Sequence, residues 1–310
     1  MNGRGRATLG LRAGVAAALL TLGVGCSSAT EEPVADPTTP PPSPSVITLS
    51  PLPAAPSSPA TGRLYADLRQ SSRDAALGRM EVWIRNDRER DLTPTRITYV
   101  DGRYRAPLDG ERLRLNPGRS IRGYPLTLPR RPACDSTATS GRVIVEHDGR
   151  RESLPVEDEA DVVARYVTTT CFRLDVDAVA ALSFADEVEV DQPGEGGIGT
   201  LVLRIVPSGR SGGGVLTVDS VSGTPLLSSY QEPVWTPDVT VRSTDDEVRV
   251  ELSVHPARCD EHVFMESGGA TAFRVRLHLG DRPGELIVRM APAGASNAIG
   301  FARDSCGYAS

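Results

Sequence analysis

The chain has 310 residues and a formal net charge of −6, and its 34 basic residues are all arginine. The absence of lysine excludes chemistry that needs a lysine amine, such as a Schiff base or a Lys–Asn isopeptide bond. The negative charge argues against a nucleic-acid partner, because nucleic-acid binding needs a basic surface that displaces counterions.

The N-terminus has the pattern of an export signal. Arg4, Arg6 and Arg12 form a basic start, and residues 13–24 form an apolar run that is too short to span a bilayer as a helix. Cys26 follows directly after small residues. No second apolar stretch is long enough for a transmembrane helix, so any membrane anchor must come from Cys26.

The segment that ends at Cys26 resembles the lipobox of bacterial lipoproteins, although Gly23 stands where a lipobox usually has Leu. The resemblance implies a signal peptide over residues 1–25 and a lipid, such as palmitate, on the mature N-terminal Cys26. It also implies attachment to the extracytoplasmic face of the cell membrane. The all-arginine composition suggests a GC-rich genome, and together with the lipobox it resembles an actinobacterial protein.

Residues 26–60 are rich in Pro, Ser, Thr and Ala, with three prolines in a row at Pro40, Pro41 and Pro42. Such a segment cannot bury enough apolar surface to offset its ordering entropy, so we predict a disordered stalk. A Pro-rich chain extends by about 3.1 Å per residue, so the stalk would hold the rest of the chain well away from the membrane.

Four cysteines remain beyond Cys26, and an even number in an exported chain predicts two disulfides. Three pairings are possible, but an internal repeat favours one of them. Residues 133–135 and 258–260 each place a cysteine after a strand-like stretch and a proline, and each half of the chain closes on a later cysteine. The predicted pairs are Cys134–Cys171 and Cys259–Cys306.

Apolar and polar residues alternate with period two in several segments, which is the pattern of half-buried antiparallel strands. The clearest segments are residues 80–85, 248–254 and 273–279, and Gly/Pro turn signals separate such segments. We therefore predict an all-β fold of two tandem immunoglobulin-like antiparallel β-sandwich domains, over residues 61–173 and 178–310, each with one disulfide. No long helix is predicted outside the signal; residues 160–166 and 175–181 are expected to form a turn or two.

Two further segments resemble those of known families. Residues 115–118 (LNPG) resemble a turn of bacterial immunoglobulin-like domains, and residues 258–262 (RCDEH) resemble a segment of actinobacterial lipoproteins. The first resemblance agrees with the predicted fold, and the second agrees with an envelope location. Neither implies an activity.

Two glycine-rich segments match functional motifs by their letters. Residues 194–199 (GEGGIG) match the dinucleotide fingerprint, but strand-like residues 200–206 follow where that motif needs a helix. We interpret this segment as an interdomain linker. Residues 209–213 (GRSGG) match the nucleophile elbow, but another strand-like stretch follows, so we predict a hairpin turn.

One cluster combines imidazoles and carboxylates within twelve residues: His255, Asp260, His262 and Glu266, with Cys259 among them. Such a set predicts a possible metal or small-ligand site in the second domain. The structural alternative is that Cys259 is oxidised, Asp260 caps a turn, and both histidines have packing roles. Acidic runs at residues 157–161, 186–191 and 245–247 are candidates for calcium, but none has the EF-hand spacing.

Arginines in strand-like segments of the first half are candidates for binding anionic wall polymers or the carboxylates of a partner, or they form a solvated sheet face. They are Arg85, Arg112, Arg114, Arg119 and Arg122. Trp83 and Trp235 are interpreted as core or interdomain residues, with glycan binding by exposed aromatic rings as the alternative.

No residue spacing in the sequence matches a known group of catalytic residues or a cofactor-binding motif in a suitable structural context. We therefore predict no catalytic residues and no cofactor. The leading hypothesis is a membrane-anchored envelope lipoprotein that binds or scaffolds an envelope protein or a cell-wall polymer without catalysis. One alternative is a lipoprotein that binds a metal or small ligand through its second domain. The other alternative is an envelope hydrolase whose active residues are assembled by the fold.

Overall fold

The computed structural model describes residues 59–230, 232, 234–265 and 269–308. The predicted signal peptide, the lipidation site Cys26 and nearly all of the predicted stalk lie outside the described residues. None of the described helices is long and apolar enough to cross a membrane. Ser58–Ser310 forms one compact unit, and its described residues build two hydrophobic cores.

The strands around the first core form a single seven-stranded sheet in the order β4-β3-β6-β7-β1-β2-β5. These elements are β1 (Arg63–Arg69), α1 (Ser72–Ala76), β2 (Arg79–Asp87), β3 (Arg96–Asp101), β4 (Leu108–Asp109), β5 (Ser120–Thr127), β6 (Gly141–His147) and β7 (Arg150–Glu157). All neighbours in this sheet are antiparallel except β1 and β7, which run parallel.

The seven-stranded sheet folds back on itself to make the two layers of a sandwich. β1 and β7 pair at only two positions, Ala66 and Asp67 of β1, so the two layers diverge beyond that short contact. At the opposite end, Gly110 next to β4 bridges Leu126 of β5, so the ends of the sheet meet. The inner faces of both layers supply the first core.

The second core lies between two five-stranded sheets that follow a long helix. The elements are α2 (Val162–Val179), β8 (Ala180–Phe184), β9 (Glu189–Gln192), β10 (Ile198–Pro207), β11 (Val215–Ser222), β12 (Leu227–Ser229), β13 (Val234–Trp235), β14 (Val239–Arg242), β15 (Val248–Pro256), α3 (Glu261–Met265), β16 (Ala272–Leu279), β17 (Arg282–Arg289) and α4 (Pro292–Ser305). One sheet has the order β12-β15-β10-β8 with β9 also on β10, and the other has the order β13-β11-β16-β17 with β14 also on β11.

The predicted alternation is confirmed in the strands where it was clearest. Met80, Val82 and Ile84 of β2 are fully buried, while the residues between them face solvent. The predicted fold class is confirmed as well: the described residues are mainly strands, and their sheets form β-sandwiches. Each sandwich carries one disulfide, and the pairs are the predicted ones, Cys134–Cys171 and Cys259–Cys306.

The expectation of no long helix is wrong, because α2 has 18 residues and α4 has 14. α2 is rich in Val and Thr, which have low helix propensity because their branched side chains lose rotamer freedom in a helix. Tertiary packing overrides that preference, since both ends of α2 are anchored in a core. The Asp158 carboxylate also accepts hydrogen bonds from the backbone N–H groups of Val162 and Val163, at 2.7 and 3.1 Å.

α4 was missed for a different reason. It begins with Pro292, a residue favoured at the first position of a helix. Its buried residues, Ala298, Phe301, Ala302 and Ser305, follow the helical spacing of three and four. Three of these four side chains are small, so the apolar stripe is weak in the sequence.

The connection between the two cores is α2 itself. Val162 and Val163 belong to the first core, and Phe172 and Val176 belong to the second. The predicted boundary between residues 173 and 178 falls inside this helix, and the domain division remains a prediction.

The interpretation of residues 194–199 as an interdomain linker is wrong. Residues 194–197 lie in the turn between β9 and β10, residues 198 and 199 begin β10, and these two strands pair with each other in one sheet. The Gly196 N–H donates to the Ser305 carbonyl at 2.8 Å, so the turn is fastened to the end of α4. The glycines in this segment therefore serve a turn within the second sandwich.

Candidate functional site

The solvent-facing side of β1, β2 and β5 carries the most distinctive group of side chains in the first sandwich. The strand register places Tyr65 beside Arg85, and Arg85 beside Ile121. The next row along the strands holds Asp67 and Trp83. Aromatic rings and arginines thus alternate on one face.

The Arg85 guanidinium is stacked on an aromatic ring. Its guanidinium carbon lies 4.2 Å from the centre of the Tyr65 ring, which is cation–π geometry. Arg85 is exposed, and within the described residues it forms no hydrogen bond and no ion pair. Stacking of this kind leaves the N–H groups of the guanidinium edge available to an anion, in a fixed orientation.

Trp83 lies on the same face, against the strand next to it. The Arg69 guanidinium carbon sits 4.5 Å from the centre of its ring, and the indole N–H donates to Glu81 at 2.9 Å. A Cβ at Gly123 would come within 2.8 Å of the indole, so this position needs glycine for the ring to lie across β5. The interpretation of Trp83 as a core residue is therefore wrong, whereas Trp235 is buried as expected.

A groove of about 380 Å³ opens beside Tyr65 and Arg85. It exists because β1 and β7 pair over so short a stretch that the chain after β7 stands away from β1. Besides the backbone of β1, its walls are formed by Tyr65, Asp67, Arg69, Arg85, Ile121, Glu157, Glu159 and Ala160. Its volume lies within the usual range for small-ligand sites.

The charges around the groove are partly matched by neighbours. Asp67 pairs with Arg69 at 2.7 Å, and Asp87 pairs with Arg119 at 2.9 Å. Hydrogen bonds from Thr61 are the main cause that lowers the pKa of Asp87, with smaller contributions from the Arg119 and Arg85 charges. Asp67 and Asp87 therefore each have an ion-pair partner, whereas Arg85 has no ion pair within the described residues.

The five arginines predicted as a strand face do not share one surface. Arg85 is on the outer face of β2, and Arg119 pairs with Asp87 just before β5. Arg112 and Arg114 lie in the loop before β5, and Arg122 turns toward the inner side, where its Nε is buried. The groove therefore depends on one of the five arginines, together with Arg69.

Tyr65 and Asp67 of the groove were not singled out in the sequence, and Glu159 was considered only as part of the acidic run 157–161, a calcium candidate. The strand that carries the first two was readable, since Leu64, Ala66 and Leu68 alternate with them and are buried. Nothing local places Glu159 across from β1, because that contact depends on the parallel pairing of β1 and β7.

The predicted cluster in the second sandwich is only partly described. His255 is the second-last residue of β15, and its Nδ1 lies 2.8 Å from the Pro256 carbonyl. Asp260 pairs with Arg258 at 2.9 Å, and this contact lowers the pKa of Asp260. His262 lies on α3, and Glu266 lies outside the described residues.

A metal site at this cluster remains a prediction. Over the described ranges, no group of three or more His, Cys, Asp or Glu side chains is placed to hold a metal ion. That statement covers the acidic runs at residues 157–161, 186–191 and 245–247. In the first of these runs, Asp158 caps α2 and Glu159 lines the groove.

One serine–histidine contact was not visible in the sequence. The Ser228 Oγ lies 3.1 Å from His255 Nε2, and the Ser229 carbonyl lies at the same distance from that nitrogen. On the other side of the ring, the Pro256 carbonyl takes the place that a carboxylate has in a catalytic triad. The imidazole is thus bound between backbone carbonyls at the edge of β15.

The second glycine motif, residues 209–213, joins β10 to β11. These strands belong to different sheets, so the predicted hairpin is wrong and the segment is a crossover between layers. A Cβ at Gly213 would lie 2.2 Å from the Ser243 hydroxyl, so the close approach of two loops explains that glycine. Ser211 is exposed and followed by β11, without the helix that a nucleophile elbow requires.

No protein-family model matches the chain, and no curated protein matches it. Among solved structures, red sea bream transglutaminase is 15% identical with a TM-score of 0.22, over 74% of this chain and 31% of that one. The chain thus spans less than a third of the transglutaminase. CBD12 from CALX1.2 is 12% identical with a TM-score of 0.21, over 71% of this chain and 82% of that one.

The adhesin InvE of Yersinia pseudotuberculosis is 9% identical with a TM-score of 0.17, over 73% of this chain and 58% of that one. Likenesses at these TM-scores carry no argument about function. Any functional conclusion has to come from the residues of this chain.

Proposed function

We propose that this chain is a lipid-anchored, non-catalytic binding protein of the bacterial cell envelope. In this proposal Cys26 carries the lipid, and the outer face of β1, β2 and β5 holds an anionic polysaccharide of the envelope. The observation that carries the binding role is the Arg85 guanidinium, stacked on Tyr65 at the groove and without an ion-pair partner in the described part of the chain.

The mixed charge of the groove favours a sugar polymer over an acidic protein. Arg85 would bind a carboxylate or phosphate group through charge-assisted hydrogen bonds. Glu157 and Glu159 on the opposite wall accept hydrogen bonds, and sugar hydroxyl groups donate them. Ile121, 41% exposed, adds an apolar contact next to Arg85.

The anchor follows from the sequence around Cys26 and from the Pro-rich segment after it. A lipid on Cys26 would keep the protein at the membrane, and a stalk would present the groove at a distance from it. A Cys26→Ser variant is expected to move from the membrane fraction to the medium or periplasm. Unchanged membrane association would contradict lipid anchoring.

Binding can be tested with full-length protein in detergent and a cell-wall preparation from the producing bacterium. We expect cosedimentation that weakens with salt, and an Arg85→Ala variant that binds roughly tenfold to 100-fold more weakly, because charge-assisted hydrogen bonds are lost. Arg105→Ala is the matched control, since Arg105 is also exposed and has no ion-pair partner in the described ranges. Equal binding by wild type and Arg85→Ala would refute the proposal.

A further inference from the structure

A second cavity lies beside the Cys259–Cys306 disulfide, in the other sandwich. Its volume is about 450 Å³, which suits a small organic ligand. The residues that line it are Glu195, Gly196, Tyr230, His255, Pro256, Cys259, Ser305 and Cys306. They come from the β9–β10 turn, the segment after β12, the end of β15 and the end of α4.

This cavity has a defined wall structure. The disulfide joins the segment after β15 to the end of α4, and the hydrogen bond from Gly196 to the Ser305 carbonyl fixes the opposite side. The Tyr230 ring meets the His255 ring edge to face, with 5.8 Å between their centres. His255 is in turn held by the Pro256 carbonyl at 2.8 Å, so the imidazole is oriented before any ligand enters.

The wall combines apolar and aromatic surface with a single charge. Tyr230 is a large aromatic residue of this wall, and it is 54% exposed. Pro256 and the disulfide add further apolar surface. A ring exposed in this way offers its negative π-face to a ligand.

Two electrostatic features of the cavity favour a cation. The Glu195 carboxylate has no hydrogen-bond or ion-pair partner among the residues that the structure describes. Ser305 and Cys306 stand at the C-terminal end of the 14-residue helix α4, where the helix dipole is negative. No arginine lines the cavity, and the nearby Arg258 is paired with Asp260.

We propose that this cavity binds an organic ammonium group, with Tyr230 contacting the cation through its ring and Glu195 neutralising its charge. An anion would be repelled by Glu195 and by the end of α4. A divalent metal ion would find one carboxylate where it needs several oxygen ligands. A neutral apolar ligand would gain no electrostatic attraction from Glu195, which is exposed.

The test uses full-length protein in detergent and two probes of nearly equal shape, choline and its neutral isostere 3,3-dimethyl-1-butanol. Binding is followed by saturation-transfer NMR of the probe methyl groups and by the ring signals of His255. We expect choline to bind saturably and to shift the His255 signals, and the neutral isostere to bind more weakly. Equal affinities for the two probes, or no saturable binding of choline, would overturn the proposal.

Variants assign the contact to its residues. Glu195→Gln and Tyr230→Leu are each expected to weaken choline binding about threefold or more, and Glu195→Gln is expected to leave the isostere unaffected. Asp246→Asn removes an exposed carboxylate in a turn of the same sandwich and is the control, with unchanged binding expected. Circular dichroism of each variant verifies that it is folded.

The outcome is independent of the envelope-binding function proposed above. That function depends on Arg85 in the first sandwich, and this one depends on Glu195 and Tyr230 in the second. Loss of choline binding in Glu195→Gln together with normal wall binding would establish two separate sites. Normal choline binding in Glu195→Gln would refute the ammonium site alone.

Discussion

Asp101 ends β3 with its carboxylate fully buried. It accepts hydrogen bonds from the Tyr99 hydroxyl at 2.6 Å and from the Arg103 guanidinium at 2.8 and 2.9 Å. Burial alone would raise the pKa of Asp101, but the hydrogen bonds from Arg103 and Tyr99 outweigh it and hold the pKa below its ordinary value. The first core thus contains a charged pair that depends on its geometry.

Replacing Asp101 by Asn is expected to lower the free energy of unfolding by about 3–5 kcal/mol at neutral pH, because the Arg103 charge would remain buried without a partner. Since the pKa of Asp101 is lowered by folding, its stabilisation is present above the ordinary carboxyl pKa of 3.8 and is lost as the pH falls through the lower folded value. Urea unfolding should therefore show the difference between wild type and variant narrowing in acid.

The control for this prediction is Asp109→Asn. Asp109 pairs with Arg96 at 2.9 Å, but both side chains are 57% exposed, so solvent screens the pair. A much smaller loss is expected from this substitution. If both variants lost the same stability, burial of the Asp101 pair would not be the cause.

At the scale of elements, α2 covers the edge of β17. The Arg173 guanidinium donates to the Ile287 carbonyl at 2.6 Å, and Arg282 pairs with Asp175. The Phe172 ring lies directly over Gly284, where an added Cβ would come within 2.1 Å of it. An exposed strand edge would invite pairing with another chain, and the helix prevents this.

Gly284→Ala is expected to destabilise the protein by about 1–3 kcal/mol, because the new methyl group would push the Phe172 ring away from β17. Gly300→Ala provides the opposite control: Gly300 lies inside α4 with open space around its Cβ position, so alanine should stabilise the helix by roughly 0.5–1 kcal/mol. Thermal unfolding of both variants measures the two effects. A stable Gly284→Ala variant would show that Phe172 can move without loss.

Strand periodicity predicted the fold class, and the even number of cysteines together with the internal repeat predicted both disulfides. The same alternation places Trp83 with the polar residues of β2, so the sequence predicts that Trp83 faces outward. The interpretation of Trp83 as a core residue disagreed with this alternation. The Tyr65–Arg85 stack could not be predicted from the sequence. It depends on the register of β1 and β2, and no local sequence pattern indicates how these strands pair. α2 could not be predicted either, because its residues have low helix propensity and long-range packing stabilises the helix in spite of that propensity.

For the whole molecule, α2 is expected to make the two sandwiches unfold together, because neither core is complete without a part of the same helix. Calorimetry of the full chain should therefore show one cooperative transition. Thr169 is exposed near the middle of α2, and Thr169→Pro is expected to separate this transition into two, since proline breaks a helix at a cost of about 3 kcal/mol.

Thr169→Ala is the control for that experiment, because alanine preserves the helix and removes the same side chain. It is expected to retain a single transition. Two separate transitions in the wild type would show that α2 links the sandwiches without coupling their stability.

The two disulfides also determine how the protein responds to a pulling force. Cys134–Cys171 encloses a sequence separation of 37 residues and Cys259–Cys306 one of 47. Tension between the chain ends passes through each covalent bridge, so the enclosed residues contribute no length even after the sandwiches rupture. At about 3.4 Å per extended residue, the enclosed residues would add roughly 280 Å to the length of the stretched chain, but only after the disulfides are reduced. A force applied between the two ends of the chain would therefore meet a fixed limit of extension.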